Sequence, residues 1–349
     1  MAEPQRSDVL IVTGANGWLG RAATARLATH SHVVAVARDL TEGRALERFI
    51  TSLGESAAGS VELAFADLTV PSTLERLLSG RSERVQVVHT AGVVHARRFS
   101  DFEAINATGT ANLVRAARRA EIARLVHVSS NSPFGTNATT HDVFRQNEPY
   151  RPYLGYGHSK MLGEIAVLDE VARGLDAVIV RPPWFYGPHQ PARQTTFFSM
   201  IKAGRFPIFG TGDQRRSMVY VDNLVDGIDA ALRWTGEPGR AWWIADARPY
   251  TVAEIVETVG RALTDEGHDV KPNSVRLPSF VGDVAERIDR VLQGARKYDQ
   301  RVHVLGEMNK TIACDVSQSM LELDWEPEVS LYDGMRTSIR WCRENGIEL

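Results

Sequence analysis

Short β-branched runs alternate with helical patterns through the first half of the chain, and this alternation constrains the fold more than any other feature. Runs such as "DVLIVTG", "HVVAVAR" and "DAVIVRPP" have the continuous apolar character of strands buried on both faces. The segments between them, such as "GWLGRAATARLATH", carry apolar and small residues at helical spacing. Strands joined by crossover helices form a parallel sheet covered on both faces. The sequence therefore predicts an α/β fold with a doubly wound parallel sheet.

The first of these strands runs into a glycine-rich turn, "VTGANGWLG", which places Gly14, Gly17 and Gly20 at the start of the following helix. This spacing is G-x-x-G-x-x-G. Glycines at such a turn permit positive φ, close backbone approach to a pyrophosphate and tight packing of helix on strand. A glycine-rich turn without function is the alternative. The position between strand and helix favours a dinucleotide site.

The next two strand ends should then meet the adenosine part of the dinucleotide. Arg38 stands where an acidic residue would select NAD, and an arginine there can accept the 2'-phosphate of NADP. The neighbouring Asp39 could instead contact a 2'-hydroxyl, so NAD stays open while NADP is favoured. "FAD" at the end of the third strand offers Asp67 to the adenine edge, with Leu68 beside it.

The chain is long enough for two parts. It has 349 residues, whereas single cores stop growing at roughly 250 to 300 residues. After Pro182 the sequence becomes rich in proline, glycine, aromatics and arginine, which is typical of substrate-binding loops. We expect a Rossmann-type NAD(P)-binding domain over 1–181, rejoined by about 217–246. A smaller, interleaved substrate-binding subdomain would comprise 182–216 and 247–349, and Thr251 and Glu254 form a capping box for one of its helices.

Composition excludes several classes of function. The formal net charge is -3, so nothing global suggests a nucleic-acid or membrane partner. The two cysteines, Cys314 and Cys342, exclude a disulfide framework and lack metal-ligand spacing, so we expect no metal. "MAEPQRSDVL" has no signal-peptide core, and no run approaches transmembrane length. We therefore expect a cytoplasmic location.

"YLGYGHSK" puts Tyr156 and Lys160 one helical turn apart. The pair alone could be two solvated side chains. Together with "TGANGWLG", "HTAG", "NATGTANLVRAA", "VHVSSNSPFG", "RPPWFYGP" and "VYVDNLVDG", however, it resembles the extended short-chain dehydrogenase/reductase family. That family includes nucleotide-sugar epimerases, dehydratases and 3β-hydroxysteroid dehydrogenases, and the resemblance covers nearly the whole length.

The resemblance implies a catalytic set of Ser130, Tyr156 and Lys160. Tyr156 would exchange a proton with a substrate hydroxyl or carbonyl, Lys160 would stabilise its phenolate and hold the nicotinamide ribose, and Ser130 would bind the reacting oxygen. Ser129 and Ser132 are neighbours of Ser130, but strand alternation and the spacing to "FG" favour Ser130. The resemblance implies that the cofactor also contacts a further set of residues: Asn16, Trp18, Leu19, Asp67, Leu68, Ala91 and Pro183.

The sequence constrains the identity of the substrate less than it constrains the cofactor and the catalytic residues. Arg216 aligns with an arginine that grips a diphosphate in nucleotide-sugar epimerases, and Arg193 could be a second anionic contact. Asn131 and Trp184 are further candidates for substrate contact, although Trp184 could equally pack the subdomain junction. Dehydratases of the family carry Thr-Asp-Glu where this chain has Ser130-Asn131-Ser132. Without those carboxylates, elimination of water lacks its acid and base.

Three functional readings follow. A nucleotide-sugar epimerase with a retained cofactor is favoured by Arg216 and "VYVDNLVDG". An NADP-dependent dehydrogenase or ketoreductase acting on a steroid-like or other secondary alcohol is favoured by Arg38. A non-catalytic NAD(P)-binding protein is disfavoured by the intact Ser130, Tyr156 and Lys160. The resemblance also implies a homodimer through helices near residues 100–120 and 156–173.

Overall fold

A seven-stranded parallel sheet forms the centre of the protein. The computed structural model describes residues 9–54, 59–80, 85–96, 98–153 and 155–349. The N-terminal stretch in which no signal peptide is expected lies largely outside these residues. The strands of this sheet are β1 (Val9–Thr13), β2 (Val33–Ala37), β3 (Val61–Phe65), β4 (Val85–His89), β5 (Arg124–Val128), β6 (Ala177–Arg181) and β11 (Ala241–Trp243). Their order in the sheet is β11-β6-β5-β4-β1-β2-β3, and every neighbouring pair is parallel. The expected Rossmann-type architecture is confirmed.

Helices cover both faces of the sheet, as crossover connections require. Two buried apolar clusters lie on its opposite sides, one including Val12 and Val178 and the other including Ile11 and Ile179. Adjacent residues of a strand thus belong to different clusters, because successive side chains point to opposite faces. The helices of this part are α1 (Trp18–Leu27), α2 (Leu40–Ser52), α3 (Pro71–Leu78), α4 (Thr110–Arg119), α5 (Tyr156–Val171) and α7 (Val221–Arg233).

An additional π-helical turn, Phe102–Gly109, precedes α4 and follows a short helical turn, Phe99–Asp101. Its buried Asn106 accepts a bond from the Val93 amide (2.8 Å), and its amide group donates to the Val93 carbonyl (2.9 Å) and to Ser159 Oγ (3.0 Å). Asn106 therefore ties the chain after β4 to α5. Because its side chain is engaged on both sides, this residue acts as scaffold.

The rest of the chain packs around a third apolar cluster that includes Phe198, Met218, Val259 and Ile339. The segment after Pro182 contains a short strand, β7 (Trp184–Tyr186), that its loop-like composition did not predict, and β7 pairs in parallel with β10 (Met218–Tyr220). Thr251 caps α8 (Val252–Asp265) as expected, accepting a bond from the Glu254 amide (3.1 Å). The remaining elements are β7 (Trp184–Tyr186), α6 (Ala192–Lys202), β8 (Ile208–Phe209), β9 (Arg215–Arg216), β10 (Met218–Tyr220), β12 (Tyr250–Thr251), α8 (Val252–Asp265), β13 (Arg276–Leu277), α9 (Ser279–Gly294), α10 (Gln300–Met308), α11 (Ser317–Leu323) and α12 (Leu331–Glu344).

Within the described residues, no helix is both long and apolar enough to span a bilayer. Cys314 and Cys342 are both buried and unbridged.

Candidate active site

The glycine loop joins β1 to α1, and its three glycines differ in how tightly the chain packs around them. Gly14 has φ +69°, and a Cβ there would lie 2.5 Å from Cα of Ala91, which follows β4. A Cβ on Gly20 would lie 2.1 Å from the Gly14 carbonyl oxygen. Gly14 and Gly20 are therefore required by the fold of the loop itself.

Gly17 differs from the other two glycines. It is exposed, and the nearest atom to a Cβ there would be the Gly14 oxygen at 3.2 Å, so the chain alone does not demand glycine. Gly17 is also the N-cap of α1 and has no side chain to cap the first amides. Free amides and the positive end of the helix dipole suit an anion. These residues fit a dinucleotide phosphate.

Other residues expected at the cofactor have clear contacts within the chain. The Trp18 indole donates to the Pro188 carbonyl (2.6 Å) and packs on Phe185, while Asn16 accepts a bond from Arg21 (2.7 Å). Asp67 accepts bonds from the amide and hydroxyl of Thr69 (2.8 and 2.7 Å). Leu19 and Pro183 are buried, and Leu68 is half-buried. These contacts shape the edge of the sheet where the cofactor is expected.

Arg38 lies at the end of β2 with its side chain 54% exposed. Its guanidinium contacts the carboxylates of Asp39 (3.1 Å) and Glu42 (3.1 Å). The other oxygen of Asp39 caps α2, accepting bonds from the amides of Thr41 and Glu42. Asp39 is therefore engaged at both oxygens and Arg38 is paired with two carboxylates, while both side chains stay partly exposed (54% for Arg38 and 45% for Asp39).

Tyr156 begins α5, and its side chain meets Ser130 just beyond the end of β5. Burial raises the pKa of Tyr156 above the ordinary tyrosine value, while a hydrogen bond with Ser130 and the charge of Arg193 oppose that rise. Ser130 also lies 3.3 Å from Ser132 Oγ and 3.4 Å from the Asn131 side-chain oxygen. Ser130 is the serine whose hydrogen bond acts on the pKa of Tyr156, while Ser132 lines the same cavity as the tyrosine. With its pKa raised, Tyr156 carries its proton at neutral pH and can act as an acid.

Lys160 lies one turn after Tyr156 and is 4% exposed. Its ammonium donates to the Val128 carbonyl (2.8 Å) and faces His127 Nε2 at 3.5 Å. Burial lowers the pKa of Lys160 to about 8. We expected Lys160 to lower the pKa of Tyr156, but in this structure the cation that lowers it is Arg193. The effect of Lys160 on the phenol stays a prediction for the cofactor-bound enzyme.

Two buried histidines behind Lys160 were not predicted from the sequence. His89 and His127 are register partners on β4 and β5, with ring centroids 5.2 Å apart. His89 bonds to Thr13 Oγ1 (2.7 Å) and Thr110 Oγ1 (3.0 Å). Burial, followed by the charge of Lys160, lowers the pKa of both rings, so they stay neutral beside the cation. The detectable signal was a histidine at the same place in two adjacent apolar strands, "VVHTAG" and "RLVHVSS".

A cavity of about 370 Å³ opens in front of Tyr156. Ser132, Phe134 and Tyr153 line it on one side, and Asp289 of α9 and Glu307 of α10 line it on the other. A second cavity of about 620 Å³ lies between α1, α2 and α7, and none of Ser130, Tyr156 and Lys160 lines it. Of these three residues, Tyr156 lines the smaller cavity. We therefore take the smaller cavity, which opens onto Tyr156, as the candidate substrate site. Its walls come from segments far apart in sequence, so no local motif could predict them.

The expected substrate residues differ in how near they come to this cavity. Arg216 donates to the backbone carbonyl of Glu307, a lining residue. Arg193 is exposed and lies 2.6 Å from His95 Nε2, and burial lowers the pKa of that histidine to about 4, so the neutral ring can accept the bond. Trp184 packs edge-to-face on Phe197 at 5.2 Å within the C-terminal cluster. His158, in the same helical turn as Tyr156, is exposed.

Comparison with known proteins identifies the family. The sequence profile of the NAD dependent epimerase/dehydratase family matches residues 10–245. The chain belongs to this family. The resemblance to extended short-chain dehydrogenases/reductases is thereby confirmed.

Similar proteins extend over nearly the whole chain. An uncharacterized protein of Sinorhizobium fredii, y4nL, is 44% identical and covers 97% of this chain and 96% of its own. UDP-glucose 4-epimerase of Mycolicibacterium smegmatis is 29% identical, covering 95% of this chain and 98% of its own. The crystal structure of UDP-glucuronic acid 4-epimerase from Bacillus cereus in complex with NAD is 20% identical. It has a TM-score of 0.72 and covers 97% of this chain and 99% of that one. At that identity, the structural match supports the fold alone.

Proposed function

We propose that this family member transfers a hydride between NAD(P) and a secondary alcohol or ketone, with nucleotide-sugar epimerisation as the favoured activity. The observation that carries the proposal is Tyr156 at the cavity, hydrogen-bonded to Ser130 and with Lys160 one turn along α5. A proton donor, an orienting hydroxyl and a buried cation are the groups that carbonyl and alcohol chemistry needs.

In this mechanism Tyr156, Ser130 and Lys160 transfer the proton, bind the substrate oxygen and stabilise the phenolate. Tyr156 gives its proton to the substrate oxygen in reduction and takes it back in oxidation. Ser130 donates to the same oxygen and fixes its distance from the phenol. Lys160 supplies positive charge behind the tyrosine when the phenolate forms. The dinucleotide, held by the glycine loop, accepts or supplies the hydride when it is bound.

Two arginines support a nucleotide sugar as substrate. Arg216 reaches the cavity wall through Glu307, and its contact there is a backbone carbonyl. A guanidinium in this position can turn to the oxygens of a diphosphate and bind two of them. Arg193, whose charge acts on Tyr156, approaches from α6. We propose that these residues bind the anionic part of the substrate, with Asn131 and Trp184 as further contacts.

The second candidate is an NADP-dependent dehydrogenase or ketoreductase. Arg38 favours it, because its guanidinium lies just after β2 and its side chain is 54% exposed, although it is paired with Asp39 and Glu42. Asp39 also caps α2 through its second oxygen. An Asp39 engaged in this way is less available to a ribose hydroxyl. The aromatic rings of Phe134, Tyr153 and Tyr156 at the cavity would suit a more apolar substrate.

Further parts of the proposal concern the whole protein. We propose that residues 1–181 and about 217–246 bind the dinucleotide, whereas 182–216 and 247–349 bind the substrate. We propose a cytoplasmic homodimer that pairs through the helices near 100–120 and 156–173. Ile165, 36% exposed on α5, would lie on that surface.

Dinucleotide retention distinguishes the two activities. The purified protein is denatured, and the released dinucleotide is identified by mass spectrometry. The intact protein is then incubated with UDP-glucose and with UDP-glucuronic acid without added cofactor. Epimerisation predicts a retained dinucleotide and a new C4 epimer with no net change in NAD(P)H. An empty protein that consumes added NADPH in stoichiometric amounts with a ketone would instead establish a reductase.

A further inference from the structure

Helix α9 presents an apolar stripe to solvent on the side away from the cavity. Four large apolar side chains at helical spacing form this outer stripe: Phe280 (64% exposed), Val284 (48%), Ile288 (50%) and Val291 (72%). The opposite face is buried through Gly282, Ala285, Asp289 and Gln293. A contiguous row of exposed apolar side chains on one helix is the pattern of a surface that binds something.

Charges around the outer stripe indicate which partner fits. The three acidic residues of α9 are all engaged: Asp283 with Lys310 (2.8 Å), Glu286 with Lys310 (2.8 Å), and Asp289 with His303 (2.8 Å). The charges beside the stripe differ in how they are engaged. Asp283 is half exposed but bound to Lys310, and the Arg296 guanidinium lies over the Phe99 ring at 5.7 Å. Arg287 on α9 and Lys297 just after it are exposed cations. The outward face of α9 therefore combines apolar and cationic side chains.

We propose that the outer stripe binds an anionic lipid surface. Apolar side chains enter the boundary between headgroups and acyl chains, while flanking arginine and lysine contact the negative headgroups. A second copy of the chain fits less well, because pairing two such faces would bring Arg287 and its neighbouring cations together. The net charge of -3 predicted no membrane partner, but membrane affinity depends on local charge rather than on the sum.

This inference is independent of the proposed catalytic function, although α9 connects the two places. Glu286, Asp289 and Arg290 of the same helix line the cavity, and the Tyr153 hydroxyl donates to the Glu286 carbonyl (3.0 Å). A surface bound to lipid would thus lie directly behind one wall of the site. The test needs no substrate, so its failure leaves the catalytic proposal intact.

Vesicle co-sedimentation tests the proposal on the full chain. We expect binding to vesicles of phosphatidylcholine with phosphatidylserine and little binding to phosphatidylcholine alone. Binding should weaken as salt is raised. The double variant Phe280→Ser/Val291→Ser should lose most of the binding. Arg287→Gln should weaken it by about fivefold, since one cation near such a surface contributes about that factor.

Leu321→Ser is the matched control, because Leu321 is an exposed apolar residue (83%) on α11, away from the stripe. It should bind like the unmodified chain, and circular dichroism should show that all variants fold. The proposal is overturned by absent binding, by equal binding to neutral vesicles, or by a control as weak as the double variant. A stripe variant that loses no vesicle binding but halves the mass in light scattering would assign the stripe to self-association.

Discussion

Lys160 is a buried cation whose charge the fold stabilises only in part. Its ammonium has one short bond, to the Val128 carbonyl, and burial lowers its pKa to about 8 from the ordinary value of 10.5. The unfolded chain therefore holds this proton more tightly than the folded one does. A lysine with a lowered pKa destabilises the folded protein at pH values below its pKa in the folded state. This destabilisation disappears as the pH rises to the pKa of lysine in the unfolded chain.

Lys160→Met should accordingly stabilise the protein at pH 7, by up to about 3 kcal/mol. The gain should shrink between about pH 8 and 10.5, where the wild-type lysine loses its proton in the folded state. Urea unfolding at pH 7 and at pH 10 measures both differences. The same variant should lose activity and bind dinucleotide more weakly. A stability difference that is equal at both pH values would show that charge burial is not its cause.

Arg38 is a second single residue with a testable role, because its side chain is proposed to select NADP over NAD. Arg38→Ala should weaken NADP binding by about tenfold to a hundredfold, the value of a charge-assisted contact with phosphate. NAD binding should change far less. Titration of both dinucleotides by calorimetry gives the two ratios. Equal losses for NAD and NADP would mean that no 2'-phosphate is read at this position.

The glycine loop between β1 and α1 contains one glycine, Gly20, that the fold requires and another, Gly17, that we expect the dinucleotide to require. Gly20→Ala places a methyl group within 2.1 Å of the Gly14 oxygen and should destabilise the protein by about 1–3 kcal/mol. Gly17→Ala meets its nearest atom at 3.2 Å and should leave stability nearly unchanged. It should nevertheless weaken dinucleotide binding about tenfold or more, because the methyl group would stand where a phosphate approaches.

Thermal unfolding and dinucleotide titration of the two variants provide the comparison. Each variant serves as the other's control, since the substitution is the same and only its position differs. Normal dinucleotide binding by Gly17→Ala would show that the phosphates of the dinucleotide do not bind at this loop.

The sequence predicted elements well where local pattern decides them. Continuous apolar runs defined β1 to β6, and Thr251 defined the start of α8. The pairing of β7 with β10 was missed, because "WFY" and "MVY" are too short to show a period. The cavity was missed for a different reason. Tyr153 and Glu307 meet only in the folded chain, and nothing local to either residue records the other.

At the scale of the whole molecule, a buried ion pair joins the sheet to the later segments. Glu164 of α5 is fully buried and accepts from Arg181 at the end of β6 (2.7 Å) and from Tyr150 (2.8 Å). Arg181 also lies over the rings of Phe134 (4.5 Å) and Trp243 (5.6 Å). Both rings belong to a fourth apolar cluster, which includes residues from the C-terminal part of the chain.

Glu164→Gln should therefore destabilise the whole protein by about 3–5 kcal/mol, the cost of leaving a buried charge without its partner. Glu75→Gln is the matched control, because its pair with Arg119 is exposed and should contribute less than about 1 kcal/mol. Chemical denaturation of both variants measures the difference. Similar small losses would show that Arg181 finds adequate compensation in its aromatic neighbours.

If Tyr156 is the acid/base of a hydride-transfer enzyme, the substitution Tyr156→Phe should abolish most of the turnover. The change keeps the ring and removes only the hydroxyl whose proton moves. With the substrate identified by the retention assay, kcat should fall by about 10² to 10⁴, the usual contribution of a positioned acid/base. Dinucleotide binding and thermal stability should stay near normal, and His158→Ala, an exposed change in the same helical turn, should retain activity. Full turnover by Tyr156→Phe would show that Tyr156 is not the acid/base.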